Sequence, residues 1–310
     1  MQLAEIKNLG AVATEHDFLP EYFVPPTSWA AVRSREHPII IGRKGTGKTA
    51  VRYALRDAAS TQPTVFLSEL TFKDYPWALH NNVYDRDAPG SSRYMKTWTL
   101  LMLVELAKLR VRVDPSSSVY VSGTASVAEL SDFLVQTWGT TQFDYKETFK
   151  RRQYRVARAT LAPQLAGAAL GSVEWQRVEA ASLGGFLTLT NEWLKERLAD
   201  ALRDDHEYFL VLDELDIDFG RNNKTFADSL IGLLLAAEDI MVWANKLKLP
   251  IATVVLLRDD IYASLQFANK NKITMSLVEA LQWNAGLAGP DSLKPIIDQR
   301  IRGRLELDGV

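Results

Sequence analysis

Residues 37–50 read HPIIIGRKGTGKTA: a run of three isoleucines between a proline and a glycine, then a glycine-rich turn that ends in Lys-Thr-Ala. Ile39, Ile40 and Ile41 are apolar at successive positions, so both faces of the segment are expected to be covered, as in a strand inside a parallel sheet. Residues 49–57 follow with helical composition. Between them, Gly42-Arg43-Lys44-Gly45-Thr46-Gly47-Lys48-Thr49 satisfies G-x-x-x-x-G-K-[ST] in full. Glycines at 42, 45 and 47 let the backbone wrap tightly and turn its N–H groups inward. Such a nest of donors at a helix N-terminus, where the helix dipole also points, holds phosphate. The loop from Gly42 to Ala50 is therefore expected to cradle a triphosphate, with Lys48 on the β- and γ-phosphates and Thr49 Oγ1 on Mg2+. A chance glycine-rich turn would lack the apolar strand before it and the helix after it.

Two later segments fit the same site. Phe209-Leu210-Val211-Leu212-Asp213-Glu214 is an apolar strand running into two carboxylates. At the C-terminal edge of a parallel sheet, where ligands of such sheets bind, Asp213 is placed to hold Mg2+ mainly through water. Glu214 is placed to orient and polarise an attacking water. Such a run by itself often only caps a sheet edge; the phosphate loop upstream gives it its meaning. Asp216 and Asp218 extend the acidic cluster and read as a solvated loop or helix cap. A further strand, residues 250–260, ends in Arg258, Asp259 and Asp260. Where a catalytic Glu stands beside the metal-binding Asp, a strand usually lies between theirs and that of the phosphate loop, and its end senses the γ-phosphate. Arg258 has that position, although an Arg–Asp surface pair accounts for it equally. Arg300, Arg302 and Arg304 read as a surface helix end or as an arginine finger.

The whole chain is 310 residues long, 47% hydrophobic and 24% charged, which supports a real core. Lys and Arg number 36 against 38 Asp and Glu, so whole-molecule charge gives no push towards nucleic acid or membrane. There is no cysteine, which excludes disulfides, thiolate zinc sites and thiol catalysis, and the four histidines have no metal-ligand spacing. The first residues carry acids and no long apolar run, so no secretory leader is expected, and a cytoplasmic location follows. Residues 98–109 (WTLLMLVELAKL) are too short and too charged for a membrane span and read as a buried helix. Strands are expected at 64–70 and 208–216 as well, with a short edge strand at 304–307. Helices are expected at 96–112, from the capping-box spacing of Ser126 and Glu129 to about 137, and at 187–203 and 224–246. The expected fold class is α/β: a P-loop nucleoside-triphosphatase domain over residues 1–310, with a mainly parallel sheet flanked by helices and a helical insertion at 90–205.

Lys146, Lys150, Arg151, Arg152, Arg155 and Arg158, with Phe149 and Tyr154 between them, read either as a nucleic-acid contact or as a solvated helix face. The tryptophans Trp77, Trp98, Trp138, Trp175, Trp193 and Trp283 read as core or lid packing before base stacking.

In its order of motifs, GRKGTGKT, then LVLDELD, then VVLLRDDIY, the chain resembles bacterial P-loop ATPases of the additional-strand, catalytic-Glu division, related to the AAA+ and STAND groups. The resemblance covers most of the chain, and its specific part is the phosphate loop. It implies ATP as the nucleotide, Mg2+ as the ion and a mechanochemical or signalling role, with defence against foreign DNA among the uses known in that division. No guanine-specific Asn-Lys-x-Asp run is present, which also favours ATP. The sequence departs from the resemblance in carrying no clear sensor-2 Arg of AAA+ modules and no obvious winged-helix or repeat tail of STAND regulators, so ring assembly is not among the expectations. The expected function is Mg2+-dependent ATP hydrolysis coupled to a conformational change. The alternatives are a nucleotide-gated module that assembles with a protein partner, a second copy or nucleic acid, and a small-molecule kinase.

Overall fold

The computed structural model describes residues 23–112, 125–150, 183–216, 224–283 and 292–307. Its five strands form one all-parallel sheet: β1 (Ile39–Gly42), β2 (Val65–Thr71), β3 (Glu207–Asp213), β4 (Ile251–Arg258) and β5 (Val278–Ala280), in the order β2-β3-β4-β1-β5. β4 thus lies between β1 and β3. The register sets Gly42 beside Arg258 and Thr71 beside Asp213, so the strand ends bearing the expected chemistry share one edge. Every residue of β3 after Glu207, and every residue of β4 before Arg258, is buried. Continuous apolar sequence produces this because helices cover both faces.

The pleat divides the core in two. Ile40, Phe209, Val211, Val254 and Leu256 face α1 (Thr27–Ser34) and α2 (Lys48–Thr61) through Val32, Val51 and Leu55. On the other face, Ile39, Leu210, Leu212, Val255 and Leu257 meet the larger cluster. That cluster is built by α4 (Met95–Val111), α5 (Ala125–Trp138), α6 (Leu183–Ala201) and α7 (Lys224–Leu247); the short α3 (Trp77–Asn81) adds its edge. The helical stretch between β2 and β3 is therefore packed onto the sheet: α4 touches β2 and β3 as well as α5, α6 and α7.

α4 is buried on all sides from Thr97 to Arg110, as a helix apolar around its whole circumference must be. Most of its few polar groups are matched, although Arg110 Nη1 is buried without a hydrogen-bond partner among the described residues. Trp98 donates from Nε1 to the Ser229 carbonyl of α7 at 2.8 Å, and Lys108 meets Glu105 Oε1 at 2.7 Å. Truncating Trp98 to Ala removes the largest fully buried side chain among the described residues, together with its bond to that carbonyl. The expected cost is about 3–5 kcal/mol, read as a lower denaturant midpoint at unchanged slope. A loss below about 1 kcal/mol would mean that the site collapses around the smaller residue.

The expected strand at 304–307 lies instead within α10 (Leu293–Leu307). Pro295 sits in its first turn, where no amide hydrogen is needed, and Lys294 pairs with Asp298 one turn on. The edge beside β1 is taken by β5. That strand has only three residues and follows directly on α9 (Lys270–Leu277), itself preceded by the short α8 (Asp259–Ser264) at the end of β4, so it has no pattern of its own in the sequence. Among the described residues, no helix is long and apolar enough to cross a membrane.

Candidate functional site

β1 ends at Gly42 and α2 begins at Lys48, with the glycine-rich turn between them. Gly45 and Gly47 have φ of 87° and 93°, a region costly for any side chain with a Cβ. A Cβ on Gly42 would lie 2.5 Å from Thr46 Oγ1 and 2.9 Å from the Leu281 carbonyl oxygen, so the loop is closed against the segment after β5. Thr46 Oγ1 donates to the Arg43 carbonyl at 2.9 Å, and Trp283 Nε1 donates to the Thr46 carbonyl at 2.8 Å. Lys48 is folded back on the loop, its Nζ 2.8 Å from the carbonyls of both Gly42 and Arg43. Burial lowers the Lys48 pKa, partly offset by Asp213, Asp216 and Asp259. Arg43, Lys44 and Gly45 are exposed at the tip, and Ala50 is half-buried. The N-terminus of α2 has no side-chain cap and no acidic residue in its first turn. No group of its own cap or first turn therefore compensates its positive end, a condition that favours binding of an anion.

Thr49, in the first turn of α2, faces the end of β3. Its Oγ1 donates to Asp213 Oδ2 at 3.3 Å. Asp213 Oδ1 accepts the Glu214 backbone N–H at 2.8 Å. Asp213 is buried, and burial pushes its carboxyl above the usual range despite the opposing pull of Arg52. Glu214 has φ of 61°, in the left-handed region. A glutamate there costs about 1–3 kcal/mol unless its surroundings impose it, and such outliers gather at functional sites. The kink turns the chain off the sheet immediately after Asp213.

Arg52 also belongs to the site, although the sequence reading did not select it. Its Nη1 is 3.2 Å from Asp213 Oδ2 and 3.6 Å from Glu214 Oε1, and its Nε is 3.8 Å from Glu69 Oε1. The available signal is its spacing: three positions after Thr49 on the same helix, it shares that residue's face.

Arg258 closes β4 beside Gly42 and is held by carboxylates. Its Nε reaches Asp260 Oδ1 at 3.0 Å and its Nη1 reaches Asp216 Oδ2 at 3.3 Å. The contacts it makes are those of an Arg–Asp pair, formed at the strand end beside Gly42. Arg43 lies 3.8 Å from Asp259. Asp216 is thus a partner of Arg258 and not a free loop acid, while Asp218 lies outside the described residues.

In the basic stretch, Lys150 pairs with Glu147. Phe149 is buried against the His80 ring, its centroid 4.2 Å away, so it is a core residue and not a surface platform. Arg151, Arg152, Tyr154, Arg155 and Arg158 lie outside the described residues. Trp77, Trp98 and Trp193 are buried in the core as expected, and Trp175 lies outside the described residues. Arg300 and Arg302 are on α10; the side chain of Arg304 is not among those described.

Among the described residues, no three His, Cys, Asp or Glu side chains form a metal cluster. The hard oxygens available at the loop are Thr49 Oγ1 and Asp213 Oδ2. A hydroxyl and one carboxylate suit Mg2+, which keeps several waters and takes its remaining ligands from phosphate.

Compared with protein-family models, with curated proteins and with solved structures, the chain finds no match.

Proposed function

We propose that this chain is a Mg2+-dependent ATPase of the P-loop type, of the additional-strand, catalytic-Glu kind it resembles in sequence. The observation that carries the reading is the meeting of Thr49 and Asp213 at 3.3 Å at the base of the glycine-rich turn, from segments far apart in the chain. A fortuitous turn has no reason to bring a magnesium-type hydroxyl to a buried strand-end carboxylate. The position of β4 between β1 and β3 supports it too.

In this reading the backbone N–H groups of residues 43–49 and the start of α2 receive the β- and γ-phosphates. Lys48 exchanges its two loop carbonyls for phosphate oxygens. Thr49 and Asp213 hold Mg2+, which neutralises charge on the phosphates when bound. Glu214 orients a water for in-line attack on the γ-phosphorus and draws its proton as the bond to the β-bridging oxygen breaks. Arg258 ends β4, the strand between the phosphate loop and Asp213, and would reach the γ-phosphate after leaving Asp216 and Asp260.

The second reading, a nucleotide-gated module with slow hydrolysis, is favoured by the hold of Asp216 and Asp260 on Arg258. Phosphate release from ATP, measured with Mg2+ and with EDTA, tests the choice. Sustained Mg2+-dependent release is expected. Binding without release, together with a nucleotide-dependent change in assembly size, would leave the second reading in its place.

A further inference from the structure

Arg52 is a cation enclosed by protein, its residue only 4% exposed. Guanidinium stays charged at any ordinary pH, so burial must be offset by partners. Three carboxylates lie within 4 Å of it: Glu69, Asp213 and Glu214. They do not share it equally. Glu69 is already engaged by Arg56 in a two-pronged contact of 2.8 and 2.9 Å. Arg52 is therefore left chiefly to Asp213 and Glu214. Its Nε and Nη1 are buried without an aligned hydrogen-bond partner, so charge holds it there and not directional bonding. Lys48, another cation nearby, spends its ammonium on two backbone carbonyls.

Asp213 Oδ2 receives both Arg52 and Thr49. The oxygen that faces the guanidinium is thus the one that, with Thr49, offers itself to a metal. We propose that Arg52 is a positioning residue that acts as the resident counter-charge of Asp213 and Glu214. It holds both carboxylates in place before nucleotide arrives, and its positive charge moderates how tightly a divalent cation is then bound. The inference rests on reading Thr49 and Asp213 as the metal-holding pair. A plain structural tie between α2 and β3 predicts a loss of stability on removing Arg52, but not that a divalent cation restores it.

The test is thermal denaturation of the nucleotide-free full chain in EDTA and in millimolar Mg2+, for wild type, Arg52→Met, Arg52→Lys and the double variant Arg52→Met with Asp213→Asn. In EDTA, Arg52→Met is expected to melt lower than wild type by about 5 °C or more. Mg2+ recovers at least half of that loss while moving wild type little. Arg52→Lys, which keeps the charge, stays near wild type in both buffers. The double variant, with both buried charges gone, melts above Arg52→Met in EDTA and ignores Mg2+. Equal Mg2+ shifts in wild type and Arg52→Met, or none in either, overturn the proposal. If Arg52→Met does not fold, a double variant that also fails overturns it, and one that folds supports it. ATP binding by wild type, measured alongside, separates the two ideas. Binding without Mg2+ rescue of Arg52→Met sinks the role of Arg52 alone. Rescue without ATP binding keeps the counter-charge and removes the nucleotide.

Discussion

Lys48→Ala is expected to lower ATP affinity by roughly 100-fold or more, with the protein still folded. Each hydrogen bond from a charged donor contributes about 1.5–3 kcal/mol, and Lys48 supplies up to two to the phosphates on top of its unscreened charge. The structure shows why folding is spared. Among the described residues, the Lys48 ammonium bonds to the carbonyls of Gly42 and Arg43, in a loop whose shape is set independently by two left-handed glycines and by the Thr46 and Trp283 contacts. Burial lowers the Lys48 pKa, so the site carries a desolvated cation that, among the described residues, has no carboxylate in direct contact. That is a poor arrangement for stability and a good one for receiving an anion. Equilibrium titration with ATP, with circular dichroism as the folding control, reads the result. Unchanged affinity would remove the phosphate cradle from the account, and with it the proposed activity.

The parts of this site that could be read from sequence are those in which chemistry is written in consecutive residues. The glycine spacing from Gly42 to Gly47 encodes a backbone shape, and an apolar run closing on Asp213 and Glu214 encodes a buried strand with an acidic end. The central strands β1, β3 and β4 were legible for the same reason: buried on both faces, they are unbroken apolar segments. Arg52 was not, because an arginine in a helix looks alike whether it meets water or a buried carboxylate; only the approach of α2 to the end of β3 gives it a partner. Phe149 misled for the matching reason. Set among lysines and arginines, it reads as a surface aromatic, yet it stacks on a histidine deep enough that burial lowers that ring's pKa to about 3. At the sheet's edge, β5 is too short to carry a period, and residues 304–307 alternate in polarity like a strand although α10 includes them. Pairing with an already formed β1 makes the first a strand, and continuity with the preceding helical turns keeps the second in a helix.

Glu214→Gln should separate binding from chemistry. Glutamine keeps the length and shape of the side chain, and its backbone cost at φ of 61° differs little from that of glutamate. Asp213 still receives the residue-214 amide at Oδ1, so the metal-holding pair is undisturbed. ATP affinity is therefore expected to stay within about threefold of wild type, since only a charge beyond the phosphates changes. Turnover is expected to fall by roughly 100- to 10,000-fold, the contribution of a placed general base. The amide can still hold a water but cannot take its proton. Single-turnover phosphate release, set beside a binding titration on the same sample, reads both quantities. A fall in turnover with intact binding makes Glu214 the water-activating group and the left-handed turn the device that presents it. Equal turnover in wild type and variant would mean that the carboxylate serves only to balance Arg52, and that ATP here is a ligand whose binding, not its hydrolysis, does the work.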